Sequence, residues 1–236
     1  MKKTISILLI LSLGFISSCA SKDEKTSSEG DYVKALKELK DRDFNAAAES
    51  FKKIGDDYPL SQWGVKAQTM AAYAFYKGGK LDEVISTSTD FIGNNPSSPD
   101  ISYMYYLKSV AYYDQMNDIQ RAQDHANLAS YSFRELIARF PNSKYSRDAR
   151  TKLILVDDHI AGAKMSVGRF QLESRNYVGA IKNFQTVKAR YSRTNQTPEA
   201  YFRLYEAYQT IGLTSEARKY QSELKKYYPE SFWAKN

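Results

Sequence analysis

Residues 201–229 read YFRLYEAYQTIGLTSEARKYQSELKKYYP, and the spacing within this stretch decides the fold. Tyr201, Leu204 and Tyr208 recur at three and four residues, as one face of an α-helix requires. Gly212 then breaks that helix. Ala217 and Leu224 mark the buried side of a second one, and Pro229 stops it, because proline has no N–H with which to continue the ladder. The unit is therefore a helix pair, with a small side chain where the two helices approach.

The same phrase recurs upstream. It reads Asp43-Phe44, Ala47, Phe51, Ile54 and Pro59, and again Gly79-Lys80-Leu81, Val84, Phe91 and Pro96. It continues as Ala129, Phe133, Leu136 and Pro141, then as Asn176-Tyr177, Ala180, Phe184, Val187 and Ser192. The period is about 34–38 residues, apart from longer third and fourth units, and it resembles the tetratricopeptide repeat. Five units in phase predict an all-α fold, a right-handed superhelical solenoid of about five helix pairs. Two departures stand out. Ser192 sits where the other units carry proline, and the third unit is lengthened around Asp114–Asp124.

The N-terminus has a different character. Lys2 and Lys3 precede a mostly apolar stretch from Ile5 to Ile16, which is the length of a signal-peptide core and too short to span a bilayer. Ile16-Ser17-Ser18-Cys19 resembles the lipobox of bacterial lipoproteins, and Cys19 is the chain's single cysteine. The resemblance implies a signal peptide over 1–18 and a covalent lipid on Cys19, with no other cofactor. It also implies a protein lipid-anchored at the periplasmic face of the outer membrane, since Ala20 is not the aspartate that typically retains such proteins in the inner membrane. Residues 20–30 contain no large apolar side chain, so 19–30 is expected to be the lipidated end and a flexible tether.

Composition excludes several classes. The chain has 236 residues, of which 42% are hydrophobic and 26% charged, too apolar for a disordered polymer. One cysteine and two histidines exclude a disulfide framework and most zinc sites, and no metal centre is expected. The formal net charge is +7, but residues 19–181 carry twenty-two charges of each sign, while 182–236 carry ten basic and five acidic residues. A neutral body with a basic end argues against a nucleic-acid partner and for one basic binding face or an anionic surface nearby.

No catalytic constellation is present. Asp157-Asp158-His159 would be the obvious base and orienter, but consecutive helical residues point about 100° apart and do not converge. His125 beside Asp124 is equally isolated, and neither a His-Glu-x-x-His nor a phosphate-binding glycine loop occurs. The chain is read as a non-enzyme. Its 19 tyrosines fit another task. Laying the repeat phrase on the helices puts Tyr73 and Tyr76, then Tyr103, Tyr106 and Tyr113, on the inner side of the array, with Tyr32 and Leu36 in the first unit. Tyrosine offers a large rigid contact with a polar tip, suited to an extended peptide.

Lipobox, polar leader and five repeats together resemble the BamD family, also called YfiO. The most specific local match is Arg139-Phe140-Pro141-Asn142-Ser143-Lys144-Tyr145, followed by Asp148-Ala149-Arg150. Tyr58-Pro59-Leu60-Ser61, and Asn95-Pro96-Ser97-Ser98-Pro99 with Asp100-Ile101-Ser102-Tyr103, agree with it. The resemblance implies a scaffold of the outer-membrane β-barrel assembly machinery. Its N-terminal half, 31–145, would receive unfolded barrel proteins, and its C-terminal half, 146–236, would dock on the central barrel assembly protein alongside accessory lipoproteins. Lys182, Asn183, Lys188 and Arg190 are the expected docking residues. Family members carry an arginine after the asparagine of this run, whereas here Phe184 follows Asn183 and the basic Lys182 precedes it. The competing reading is a repeat lipoprotein that delivers substrates to a periplasmic protease or envelope enzyme.

Overall fold

The computed structural model describes residues 20–116 and 123–235, and every regular element among them is a helix. Ten helices form five consecutive pairs. They are α1 (Ala20–Lys40) with α2 (Phe44–Asp57), α3 (Gln62–Lys77) with α4 (Leu81–Asn94), and α5 (Ile101–Asp114) with α6 (Gln123–Arg139). Then come α7 (Lys144–Glu173) with α8 (Tyr177–Arg190), and α9 (Thr197–Thr210) with α10 (Thr214–Tyr227), before a short α11 (Phe232–Lys235). This is the expected solenoid of tetratricopeptide-like pairs. Each first helix packs on the first helix of the next pair, whereas consecutive second helices stand further apart, so that α8 meets α10 through the long Lys188 side chain on Glu223. Such an array curves with its first helices on the inside.

The repeat phrase is the packing code of these pairs. Ala47, Val84, Ala129, Ala180 and Ala217 are all fully buried. One turn further on, Phe51, Phe133 and Phe184 are also fully buried, each contributing about 1.5–3 kcal/mol by leaving water. The second unit has Ser88 at this register, buried with no hydrogen-bond partner for its hydroxyl among the described residues. Four first helices end alike. The backbone N–H groups of Asp43, Lys80, Asn176 and Leu213 reach back to the carbonyls of Glu38, Phe75, Gln171 and Tyr208 at 2.8–3.0 Å. This bond closes a Schellman motif, whose preceding residue must be left-handed. Gly79 (φ 74°) and Gly212 (φ 80°) satisfy that freely, while Arg42 (φ 64°) and Arg175 (φ 60°) do so at a cost.

Three expectations need correction or placement. The stretch 20–30, read as a flexible tether, is helical and continuous with 31–40, and Ser28 is buried. It contains no proline and several good helix formers, so extending an existing helix through it costs little. The lengthening of the third unit coincides with residues 117–122, outside the described residues, while that of the fourth is α7 itself, 30 residues long. The division expected at 145/146 falls in the first turn of α7. The two buried clusters meet instead inside that helix, between Ile160 and Ala161. Gly168 marks how closely α7 and α8 approach: a Cβ there would lie 2.5 Å from the Phe184 ring.

Candidate functional site

Among the inner helices, α3, α5 and α7 are joined by phenols that donate to carboxylates one unit further along. The Tyr76 hydroxyl donates to Asp114 Oδ2 at 2.9 Å, and the Tyr106 hydroxyl to Asp148 Oδ2 at 2.7 Å. Lys152, one turn beyond Asp148, holds the same carboxylate at 3.0 Å. The Tyr145 ring centre lies 5.1 Å from that of Tyr103 and 5.3 Å from that of Tyr106, the ring planes inclined by 34° and 29°. Tyr73 and Tyr76 are near enough to act electrostatically on Tyr103. Tyr73, Tyr76, Tyr103, Tyr106 and Tyr145 therefore form one half-buried cluster on the inner face.

The other two expected groove residues lie at its margins. Tyr32 packs on Phe51 and Trp63, with ring centres 5.3 and 5.0 Å away, and Asp100 acts on both Tyr32 and Tyr103. Tyr113 presents its ring to the edge of Phe133 at 6.3 Å, with the Lys152 ammonium 5.9 Å above it, so it serves the packing of α5 on α6 and α7. Tyr145, Asp114 and Asp148 were not anticipated. Tyr145 lies in the motif that carries the family resemblance, but its role depends on how α7 docks on α5.

Burial and electrostatics keep Tyr76, Tyr103 and Tyr106 protonated. Burial, then the bond to Asp114, pushes Tyr76 up to about 12. Burial raises Tyr106 well above the usual phenol range, with the Asp148 bond adding to it, and burial with the surrounding phenols does the same for Tyr103. For Asp148, burial alone would favour the neutral acid, but the bonds from Tyr106 and Lys152 outweigh it and hold the carboxyl below its ordinary value. The site is a set of neutral aromatic faces beside fixed negative charges.

The four expected docking residues are not brought together. Lys182 is exposed on α8, and the Asn183 amide donates to Gln171 Oε1 at 2.9 Å, tying α8 to α7. Lys188 turns inward, paired with Glu223 at 3.0 Å and lying 5.2 and 5.0 Å over the rings of Tyr201 and Tyr220. Arg190 lies at the far end of α8, beside a cavity between α6, α7 and the α8–α9 turn. Where α7 meets α9, charge replaces the phenols. Arg169 bonds both Glu199 oxygens at 3.1 Å, and Arg203 spans Glu199 and Glu206 at 3.2 and 2.7 Å. Asp157, Asp158 and His159 diverge as their spacing requires. Asp157 pairs with Arg134, Asp158 accepts the Asn195 N–H, and the His159 Nε2 is buried without a hydrogen-bond partner among the described residues. Cys19 lies outside the described residues.

Known proteins match this chain along nearly its whole length. The family model described as "YfiO: Outer membrane lipoprotein" covers residues 24–235. A Rickettsia prowazekii protein named outer membrane protein assembly factor BamD is 35% identical over 98% of this chain and 93% of its own. Its namesake from Caulobacter vibrioides is 32% identical, over 98% of this chain and 78% of its own. A solved tetratricopeptide protein of Thermus thermophilus is similar at 16% identity and a TM-score of 0.42, over 88% of this chain and 95% of that one. The chain belongs to the YfiO family of outer membrane lipoproteins.

Proposed function

We propose that this chain is a non-enzymatic scaffold lipoprotein of the outer-membrane β-barrel assembly complex. It receives unfolded barrel proteins on the inner face of α3, α5 and α7, and it docks through its C-terminal pairs on the central barrel assembly protein. The cluster of five phenols beside Asp114 and Asp148 is the observation that carries the reading. An extended aromatic-containing segment gains ring contacts there without displacing charge. The relatives' shared name, outer membrane protein assembly factor, supports the complex to which this surface would belong. On the C-terminal side, Lys182 is the exposed cation of α8 and its docking contact, while the inward-facing Lys188 holds the seam that presents it. A lipid on Cys19 holds the protein at the periplasmic face of the outer membrane and raises its effective concentration near the partner.

The test is binding of aromatic-ended C-terminal peptides of barrel proteins. Replacing Tyr73, Tyr76, Tyr103 and Tyr106 together with alanine should weaken binding at least tenfold while circular dichroism still shows a helical protein. Unchanged binding by the folded variant would overturn the groove. Pull-down from detergent-solubilised membranes should bring down a large β-barrel protein, whereas recovery of a protease instead would favour delivery to proteolysis. Cys19→Ala should release the chain from the membrane fraction.

A further inference from the structure

The cavity beside Arg190 is unlike the tyrosine groove in place and in charge. It has a volume of about 380 Å³ and is bounded by α6, α7 and the turn from α8 to α9. Four arginines line it, Arg134, Arg150, Arg190 and Arg193, against a single carboxylate, Asp157. Two of the four are fixed by the fold. Arg134 binds Asp157 at 2.6 Å, and Arg150 donates to the Pro141 carbonyl at 2.8 Å. The other two, Arg190 and Arg193, are exposed and make no ion pair among the described residues. Asp157 is already neutralised by Arg134, so the cavity presents an excess of positive charge. That Asp157, Arg134 and Arg190 all act on the Tyr191 phenol shows that they converge on one place.

Comparison among the units isolates this feature. At the register of Arg193, the other four turns carry Leu60, Ser97, Asn142 and Glu230. At the register of Arg190 they carry Asp57, Asn94, Arg139 and Tyr227. The fourth turn alone has arginine at both positions, and it is also the turn with Ser192 in place of proline. Repeat packing asks for none of these three residues. Beside the arginines the lining is apolar, formed by Ile137, Leu153 and Ile154, the last 50% exposed.

We propose that this cavity captures a carboxylate-bearing, partly apolar peptide segment of a protein partner. Arginine forks match carboxylates in bidentate geometry, and two uncommitted forks beside an apolar wall fit acidic side chains alternating with aliphatic ones. A peptide can enter a recess between three elements, whereas a flat membrane surface meets only its rim. The site goes beyond the groove and the docking cation Lys182, and it can fail without either failing.

The test uses the full chain carrying Cys19→Ser, which removes the lipid acceptor, and a labelled peptide alternating glutamate with leucine. The glutamate peptide should bind with an affinity that falls as salt rises. Its glutamine counterpart should bind at least tenfold more weakly, and so should the glutamate peptide to the R190Q/R193Q double variant. Aromatic-ended peptides should bind that variant as they bind the parent, which separates this site from the groove. Equal affinity of the glutamate peptide for parent and double variant would overturn the proposal. So would complete displacement by inorganic phosphate at concentrations that leave Lys182-dependent pull-down intact, which marks a free-anion site. Arginine-dependent binding to vesicles of anionic phospholipid, with no peptide binding, would overturn it in favour of a membrane contact.

Discussion

The inner helices of this solenoid are joined by two chemistries. From α3 to α5 and from α5 to α7 the ties are phenols donating to carboxylates. From α7 to α9 the tie is the Arg169 guanidinium on Glu199, which Arg203 braces from within α9. Both span one repeat and both hold neighbouring first helices at a fixed separation. They leave different surfaces behind. The phenol ties leave neutral rings open to a ligand, while the arginine ties consume their charge within the array and leave Lys182, Arg190 and Arg193 to face outward. A repeat scaffold can thus vary the bond that joins its units and, by doing so, vary what each stretch can hold.

The largest effects should fall on the core and be alike in both halves. Phe133→Ala and Phe184→Ala should each cost about 3–5 kcal/mol in denaturant unfolding, since both rings are fully buried. Equal losses would show that the halves differ in surface and not in packing. Gly168→Ala breaks the symmetry. Its methyl would meet the Phe184 ring at 2.5 Å, so about 1–3 kcal/mol should be lost, and the loss should shrink in a Phe184→Leu background.

Next come the ties themselves. Glu199→Gln and Tyr106→Phe should each cost about 1 kcal/mol. In high salt the cost of Glu199→Gln should fall, because screening weakens an ion pair, while that of Tyr106→Phe should change less. A pH titration separates them further. Tyr76 has its folded pKa raised to about 12, from the ordinary phenol value of 10.0. The folded state therefore holds this proton more tightly, and the stability it confers is fully present below pH 10 and lost as pH rises towards 12. Tyr76→Phe should flatten the loss of stability over that interval. Equal pH dependence in the variant would show that the Asp114 bond does not shape it.

The smallest effect concerns two helix ends. Arg42→Gly and Arg175→Gly relieve left-handed arginines but add freedom to the unfolded chain, so each should stabilise by about 1 kcal/mol or less in thermal melts. The same substitution at an exposed right-handed helical arginine such as Arg218 should destabilise by a similar amount.

What could be read from the sequence was whatever depends on contacts within one helix pair. Ala47, Ala180 and Ala217 announce themselves because a small residue must stand at each close approach, and the phrase around them repeats. Tyr73, Tyr76, Tyr103 and Tyr106 fall on first helices, α3 and α5, for the same reason. Contacts between pairs were not legible. Asp114 and Asp148 lie 38 and 42 residues from the phenols they accept, and only the docking of one unit on the next joins them. Lys188 looked like a surface cation because its partner Glu223 and the rings beneath it belong to the following pair. The polar leader misled for a different reason. A segment without core residues can still be helical when it extends a helix already formed.

The length of α7 has a consequence for how the molecule comes apart. In a linear array with nearest-neighbour coupling, unfolding can begin at either end and move inward one unit at a time. α7 contributes side chains to both buried clusters, so neither front can pass through it without dissolving the other cluster's border. Its central turns, around Ile160 and Ala161, act as a pinned domain wall. Their amide protons should be the last to exchange whichever end frays first, which makes the middle of this one helix the keel on which two differently furnished surfaces keep a constant bearing.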